Sequence, residues 1–327
     1  MPALPERLRT DVWRGYALAL LAALCWATGG LSAKWLFSPL DALTSTWPVP
    51  PPGIAVDPVV LAGARALVAA VLLLAYMAMF RRTELRVPLR SLPFLAAFGI
   101  VGLAGVHVTY FQAISHTNVA TAILLEYLAP VIVLVFSVLV LGERFTWVLP
   151  LGVAISITGC AMVVGAIGGQ GLRASAVGVA WGLAAAVFFA SYSIMGKFAS
   201  SHYTPWTLLT WGLLFASAFW LVYLGGLGSV LALLVHPAGL AVVLYMAVFS
   251  TIVPFAAFLT ALHHIDATKA VVTSTVEPVI AGLAAYLLFG ESFTFMQLMG
   301  GVLVICAIVV VQRAPGAAAA EELPLAP

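Results

Sequence analysis

The chain has 327 residues, 63% of them hydrophobic and only 8% charged, against about 25% charged in a soluble globular domain. So few charges cannot build a surface that water wets, and a net charge of +2 is too small for a nucleic-acid footprint. The hydrophobic runs are therefore measured against the roughly 20 apolar residues that carry a helix across a bilayer core.

In chain order, ten such runs emerge: 15–37, 58–80, 93–114, 117–140, 146–167, 174–197, 205–226, 238–262, 267–289 and 294–312. The joints between them are short and carry helix breakers, as in Gly142-Glu143-Arg144, Ser201 to Pro205 and Gly290-Glu291-Ser292. One longer joint, Ser38 to Asp57, contains Trp47-Pro48-Val49-Pro50-Pro51-Pro52-Gly53, where the prolines forbid helix. The Ala/Pro/Glu-rich tail 314–327 is expected to be disordered. The pattern predicts an all-α integral membrane protein with ten transmembrane helices.

Orientation follows from Lys and Arg in short loops. With residues 1–14 inside, the cytoplasmic segments hold Arg7, Arg9, Arg14, Arg81, Arg82, Arg86, Arg90, Arg144 and Arg313, while the opposite loops hold Arg173. Both termini are expected to be cytoplasmic, in a bacterial-type inner membrane. The first apolar run exceeds a signal-peptide core, so it is expected to be retained. Cys25, Cys160 and Cys306 fall within predicted spans without metal-ligand spacing and read as packing residues.

The chain repeats itself. Shifted by 148 positions, Ala113–Thr146 aligns without a gap on Ala261–Thr294, with 11 of 34 pairs identical, where composition alone gives roughly three. Matched residues include His116 with His264, Pro130-Val131-Ile132 with Pro278-Val279-Ile280, and Gly142-Glu143 with Gly290-Glu291. At another offset Gly15–Lys34 aligns on Gly178–Lys197, setting Trp26-Ala27-Thr28 against Phe189-Ala190-Ser191. Each repeat, 15–167 and 174–313, then holds five spans. An odd number sends the second repeat into the membrane from the opposite side, so the two are inverted. Inverted halves are the build of many secondary transporters, which bind substrate near mid-membrane and expose it to alternate sides.

At these residues the chain resembles the drug/metabolite transporter superfamily in its ten-helix EamA-type branch. The resemblance runs from Gly15 to Arg313. It is carried by Cys25-Trp26-Ala27-Thr28 with Lys34, by Tyr127-Leu128-Ala129-Pro130 and Glu277-Pro278-Val279, and by the Gly-Glu turns at Glu143 and Glu291. It implies ten helices around one central cavity and exporters of amino acids and related metabolites among its bacterial members. Aromatic-amino-acid exporters of the YddG type are the nearest functional analogue.

Candidate functional residues follow. Pro130 and Pro278 lie near the centres of their spans, where each removes a hydrogen bond to the carbonyl four residues earlier, those of Glu126 and Ser274. Such carbonyls must face protein, water or substrate. Either neighbouring helices satisfy a fixed kink, or the helices hinge there.

Glu126 and Glu277 are the acidic residues deep within spans, where a carboxyl is held structurally or marks a pathway. Lys197 and Lys269, toward span ends, suit snorkelling to the interface, as does Lys34; Arg65, further inside, suits an anionic partner such as a substrate carboxylate. His107 reads as a satisfied core histidine.

The resemblance places Trp26, Tyr110, Tyr127, Trp181, Tyr192, Phe255 and Phe258 on helices around the cavity. As a set these rings favour an amphipathic or aromatic solute over an inorganic ion. The spacing offers no catalytic constellation and no zinc motif, and the sequence has no phosphate-binding Gly-rich loop. It thus points to a secondary carrier rather than an enzyme, pump or channel, with no cofactor expected. Its expected partners are the lipid bilayer and a small-molecule substrate, with drug cations or other metabolites as the rival cargo. Gly178-x-x-x-Gly182 is a weak helix-contact signal and sets no oligomeric state.

Overall fold

The computed structural model describes residues 6–41, 47–54, 56–117, 119–167, 175–289 and 294–314. Every regular element among them is helical. In hydrocarbon a backbone must satisfy itself, and a helix does so within one segment.

The elements are α1 (Glu6–Phe37), α2 (Pro58–Phe80), α3 (Leu92–Ala97), α4 (Val106–His116), α5 (Val119–Glu126), α6 (Ala129–Leu139), α7 (Val148–Val163), α8 (Ala176–Ala199) and α9 (Pro205–Tyr223), followed by α10 (Gly228–Val235), α11 (Pro237–Ala247), α12 (Val253–His264), α13 (Ala267–Ser274), α14 (Glu277–Phe289) and α15 (Phe295–Gln312).

Nine apolar stretches among the described residues are long enough to cross a bilayer. The tenth expected span is α7, with 16 residues, a rise of about 24 Å and so shorter than the 146–167 run suggested. The eight-residue α10 was not foreseen and is too short to cross. The tail beyond residue 314 and the Gly290-Glu291 turn lie outside the described residues.

Helix starts are closed by polar caps placed where the sequence put its breakers. Asp57 accepts a hydrogen bond from Val59 N beside Pro58, Ser175 accepts from Gly178 N, and Thr294 exchanges bonds with Gln297 in a capping box. Each cap satisfies donors that hydrocarbon would leave unpaired. The Pro-rich joint is tied back to α1 by the Trp35 indole, which donates to Val49 O over 2.8 Å.

Two kinds of irregularity recur at or close to the 148-residue offset. A π-helical stretch, Phe98–Gly105, joins α3 to α4, and another, Val248–Ile252, joins α11 to α12. The first is rich in glycine; the second precedes Pro254, which cannot donate to the Ser250 carbonyl. Spans four and nine also break at matching positions. α5 ends at Glu126 and α6 starts at Ala129; α13 ends at Ser274 and α14 starts at Glu277. Each break sits two residues before its proline.

The two sequence halves interdigitate. α1 packs on α12, α13 and α14, α2 on α9, α4 on α8, and α7 along α15. The Gly178 and Gly182 face is filled from within the chain, by the end of α4 and by Leu125. Gly15, in the third turn of α1, lies against His264 and Ile265, while Ala314 accepts a hydrogen bond from Lys269. Both described chain ends therefore lie on one face of the bundle. Outward-facing Leu24, Val71, Met79, Val135, Leu287 and Ile305 are exposed, as lipid contact requires.

The α7–α15 contact rests on two glycines. A Cβ on Gly159 would come within 2.9 Å of Gly300 O, and one on Gly300 within 2.7 Å of Gly159 O, so the backbones meet without intervening side chains. Gly159→Val and Gly300→Val are expected to cost about 1–3 kcal/mol by overpacking and to lower the thermal transition of detergent-purified protein. Gly30→Ala, with nothing within 4 Å of the new methyl, is expected to leave it unchanged or raise it.

Candidate functional site

The interior is built from a ring cluster and a polar group, with a hydrogen-bonded seal at one end of the bundle. In the ring cluster, Trp26 on α1 packs against Phe189 on α8 and against Phe255 and Phe258 on α12, with centroids 6.1, 5.4 and 5.6 Å away. Tyr192 meets Phe255 at 5.3 Å and Phe258 at 5.7 Å. Edge-to-face and offset contacts at such distances contribute about 0.5–1.5 kcal/mol each beyond buried area. Trp26 and Phe189, partners in the internal repeat, thus touch where the halves meet.

Tyr192 and Phe258 are fully buried, Phe255 nearly so, and Trp26 is half-buried at the edge. The Tyr192 hydroxyl has no hydrogen-bond partner among the described residues. Trp181 is half-buried about two turns before Phe189, outside the cluster. Phe98 and Phe189 belong to the cluster although the sequence did not single them out for the cavity; the one signal for Phe189 was its alignment with Trp26.

The polar group assembles around the two helix breaks. Tyr127, in the first break, donates to Glu277 Oε2 over 2.8 Å at the end of the second. Thr275 in the second break receives the Ser156 hydroxyl on its Oγ1 at 2.9 Å and the Cys160 thiol on its carbonyl at 3.7 Å. Ser274 is buried and donates to Val271 O. Pro130 and Pro278 are buried just beyond the breaks. Glu126 is half-buried within electrostatic range of Arg65 and Glu277, and Tyr110 lies near all three. His107 uses Nδ1 on Leu103 O at 2.7 Å and packs its ring on Phe255, as expected of a satisfied core histidine.

The seal lies at the end of the bundle that holds the chain ends. Glu143 is 6% exposed. Its Oε1 accepts from Ala267 N at 2.7 Å and its Oε2 from the Thr268 hydroxyl at 2.8 Å, so it caps α13 from across the molecule, where the helix dipole favours a negative charge. Lys269 pairs with Asp266 at 3.1 Å and donates to Ala314 O at 2.9 Å. Lys197 donates to Leu262 O and Ile265 O at 2.7 and 2.9 Å.

The snorkelling expected of Lys197 and Lys269 is thus replaced by inward bonding. The orphan carbonyls at the end of α12 and the Asp266 carboxylate offer nearer partners than the interface does. Sequence reasoning noticed Glu143 as a repeated turn residue without seeing its role.

A sequence profile of the EamA-like transporter family matches residues 53–165 and again 176–313. The chain belongs to the EamA-like transporter family. Its relatives are transporters rather than enzymes. An uncharacterized transporter of Archaeoglobus fulgidus is 31% identical over 69% of this chain and 77% of its own length. A probable terminal-alkyne amino-acid exporter of Streptantibioticus cattleyicolor is 27% identical over 68% of this chain and 74% of its own. The Escherichia coli threonine/homoserine exporter RhtA is 28% identical over 61% and 64%. One solved crystal structure aligns over 91% of this EamA-like chain and 96% of its own with a TM-score of 0.71 at 19% identity, a likeness of fold alone.

Burial, with Asp266 nearby, holds the Glu143 carboxyl above the ordinary value of 4.5 against the opposing pull of its two hydrogen bonds. A raised folded value means the folded chain keeps this proton longer than the unfolded chain does. Stability is therefore lost as pH climbs from about 4.5 through the folded value. In Glu143→Gln, the thermal transition is expected to fall less over that pH range than in the wild type. In Glu143→Ala, the unsatisfied Ala267 amide is expected to cost about 1–3 kcal/mol at any pH.

Proposed function

We propose that this EamA-like protein is a secondary carrier that exports amphipathic or aromatic amino acids, or closely related metabolites, from the cytoplasm by alternating access. The observation that carries the reading is the Tyr127–Glu277 hydrogen bond, which joins two proline-broken helices beside a half-buried carboxylate. The aromatic cluster adjoining the helix breaks offers apolar contact area, and the polar group offers charge. That combination suits a solute with an apolar body and a charged head. The amino-acid exporters among its relatives support the same cargo.

In this reading the repeats 15–167 and 174–313 are inverted halves around a central cavity, and Pro130 and Pro278 are their hinges. The recurrence of helix breaks and π-stretches at or close to one offset supports equivalent halves. The chain ends and the Glu143 seal face the cytoplasm of a bacterial-type inner membrane.

Transport is tested in proteoliposomes with labelled phenylalanine, leucine and threonine beside a drug cation and potassium. Uptake or counterflow of at least one amino acid is expected; movement of potassium or the drug cation alone overturns the cargo. Pro130→Ala and Pro278→Ala restore a backbone donor and are expected to slow transport about tenfold, equivalent to roughly 1.4 kcal/mol on the barrier, with a smaller loss of thermal stability. Unchanged transport in both variants removes the hinge role.

Orientation is tested at Val49, which is 63% exposed on the Pro-rich joint. In a background lacking the three native cysteines, Val49→Cys is expected to react with an impermeant maleimide added outside intact cells. Labelling only after the cytoplasm is opened reverses the assignment.

A further inference from the structure

Arg65 is 9% exposed, and its Nε has no hydrogen-bond partner among the described residues. No ion pair within 4.0 Å joins it to a carboxylate there, although Glu126 lies within electrostatic range. A guanidinium in a low-dielectric interior is costly unless a counter-ion or hydrogen-bond acceptors replace its lost solvation.

Glu126 is the matching case. It is half-buried, sits at the end of α5 where Pro130 breaks the span, and its carboxyl accepts no hydrogen bond from a described residue. Glu277 differs from Glu126 because the Tyr127 hydroxyl already occupies it. Arg65 on α2 and Glu126 on α5 are therefore opposite charges within electrostatic range of each other, not paired, with Tyr110 in range of both.

We infer that Arg65 and Glu126 form a zwitterion subsite, Arg65 taking the carboxylate and Glu126 the ammonium of an α-amino acid. The inference rests on the amino-acid reading above and assigns the head group to Glu126 rather than to Glu277. A free α-amino acid carries both charges on adjacent atoms, so one ligand satisfies both side chains at once. A guanidinium grips a planar carboxylate with two parallel hydrogen bonds. An organic cation leaves Arg65 unpaired, and an anionic metabolite leaves Glu126 unpaired. A side chain lying toward Trp26 and Phe255 then meets the ring cluster.

The test uses the full-length protein in proteoliposomes with labelled phenylalanine, leucine and threonine, and phenylalaninamide and N-acetylphenylalanine as competitors. The amide keeps the ammonium and lacks the carboxylate; the N-acetyl form keeps the carboxylate and lacks the ammonium. In the wild type both are expected to compete at least about tenfold more weakly than phenylalanine, since a hydrogen bond to a charged group contributes about 1.5–3 kcal/mol.

Arg65→Gln is expected to raise the KM for the amino acid about tenfold or more while leaving inhibition by the amide unchanged. Glu126→Gln is expected to do the same while leaving inhibition by the N-acetyl form unchanged. General damage to the fold weakens all three ligands together and does not produce this crossed pattern.

Equal competition by phenylalanine and its amide in the wild type overturns the subsite without any variant having to fold. So does a wild-type KM in either variant. Wild-type protein that moves none of the amino acids overturns the amino-acid reading itself, and the subsite with it; amino-acid transport with uncrossed variants overturns the subsite alone.

Discussion

One hydrogen bond, from the Tyr127 hydroxyl to Glu277 Oε2 at 2.8 Å, joins the two proline-linked helix breaks, α5–α6 and α13–α14. Without the breaks, α5–α6 and α13–α14 would be two straight rods with every backbone group internally paired, and no polar side chain would have reason to sit at mid-span. Pro130 and Pro278 remove that option, because a proline inside a helix has no amide to give and its ring collides with the preceding turn. Side-chain donors gather at the breaks: Tyr127 gives to the Glu277 carboxyl, and Ser156 and Cys160 give to the Thr275 hydroxyl and carbonyl. Polar contacts inside the bundle thus collect beside the two prolines.

The rest of the packing keeps that interior small. Gly159 and Gly300 bring α7 and α15 into backbone contact, and the rings of Trp26, Phe189, Tyr192, Phe255 and Phe258 fill the space between α1, α8 and α12. At the chain-end face, Glu143, Asp266, Lys197 and Lys269 cross-link four segments with bonds of 2.7–3.1 Å. These are charge-assisted bonds, individually stronger than neutral ones, yet each can open without breaking a helix. Rigid apolar contacts and separable polar contacts therefore occupy different levels of the same bundle.

Much of this was legible in the sequence because it is written in local terms. Spans are apolar runs of a length the bilayer sets, and Pro130 and Pro278 announce the breaks within a residue or two. The 148-residue offset sets Pro130 opposite Pro278, and the breaks beside them fall at matching positions. Trp26, Tyr192, Phe255 and Phe258 were placed on interior helices by the family resemblance rather than by any local pattern.

What the sequence hid is written in long-range terms. Nothing near Glu143 says that its partners are Ala267 and Thr268. Lys197 and Lys269 carry the local signature of snorkelling residues while bonding inward. Arg65 was already set apart in the sequence by its depth, but nothing there linked it to Glu126; their proximity without pairing, and the occupation of Glu277 by Tyr127, do so.

The long reach of the Glu143 cap also has a temporal side. Its carboxylate precedes its donors by 124 and 125 residues, and at about 5–20 residues per second of synthesis the gap lasts roughly 6 to 25 seconds. Throughout that interval the first half of the chain is in or near the bilayer with an acid whose permanent partners do not yet exist. The loop holding Glu143 must wait at the water boundary, and it is drawn beneath the surface only when Ala267 and Thr268 arrive. Closure of that face is therefore a late event in the birth of the molecule, and an arrested chain that stops short of α13 would leave it open.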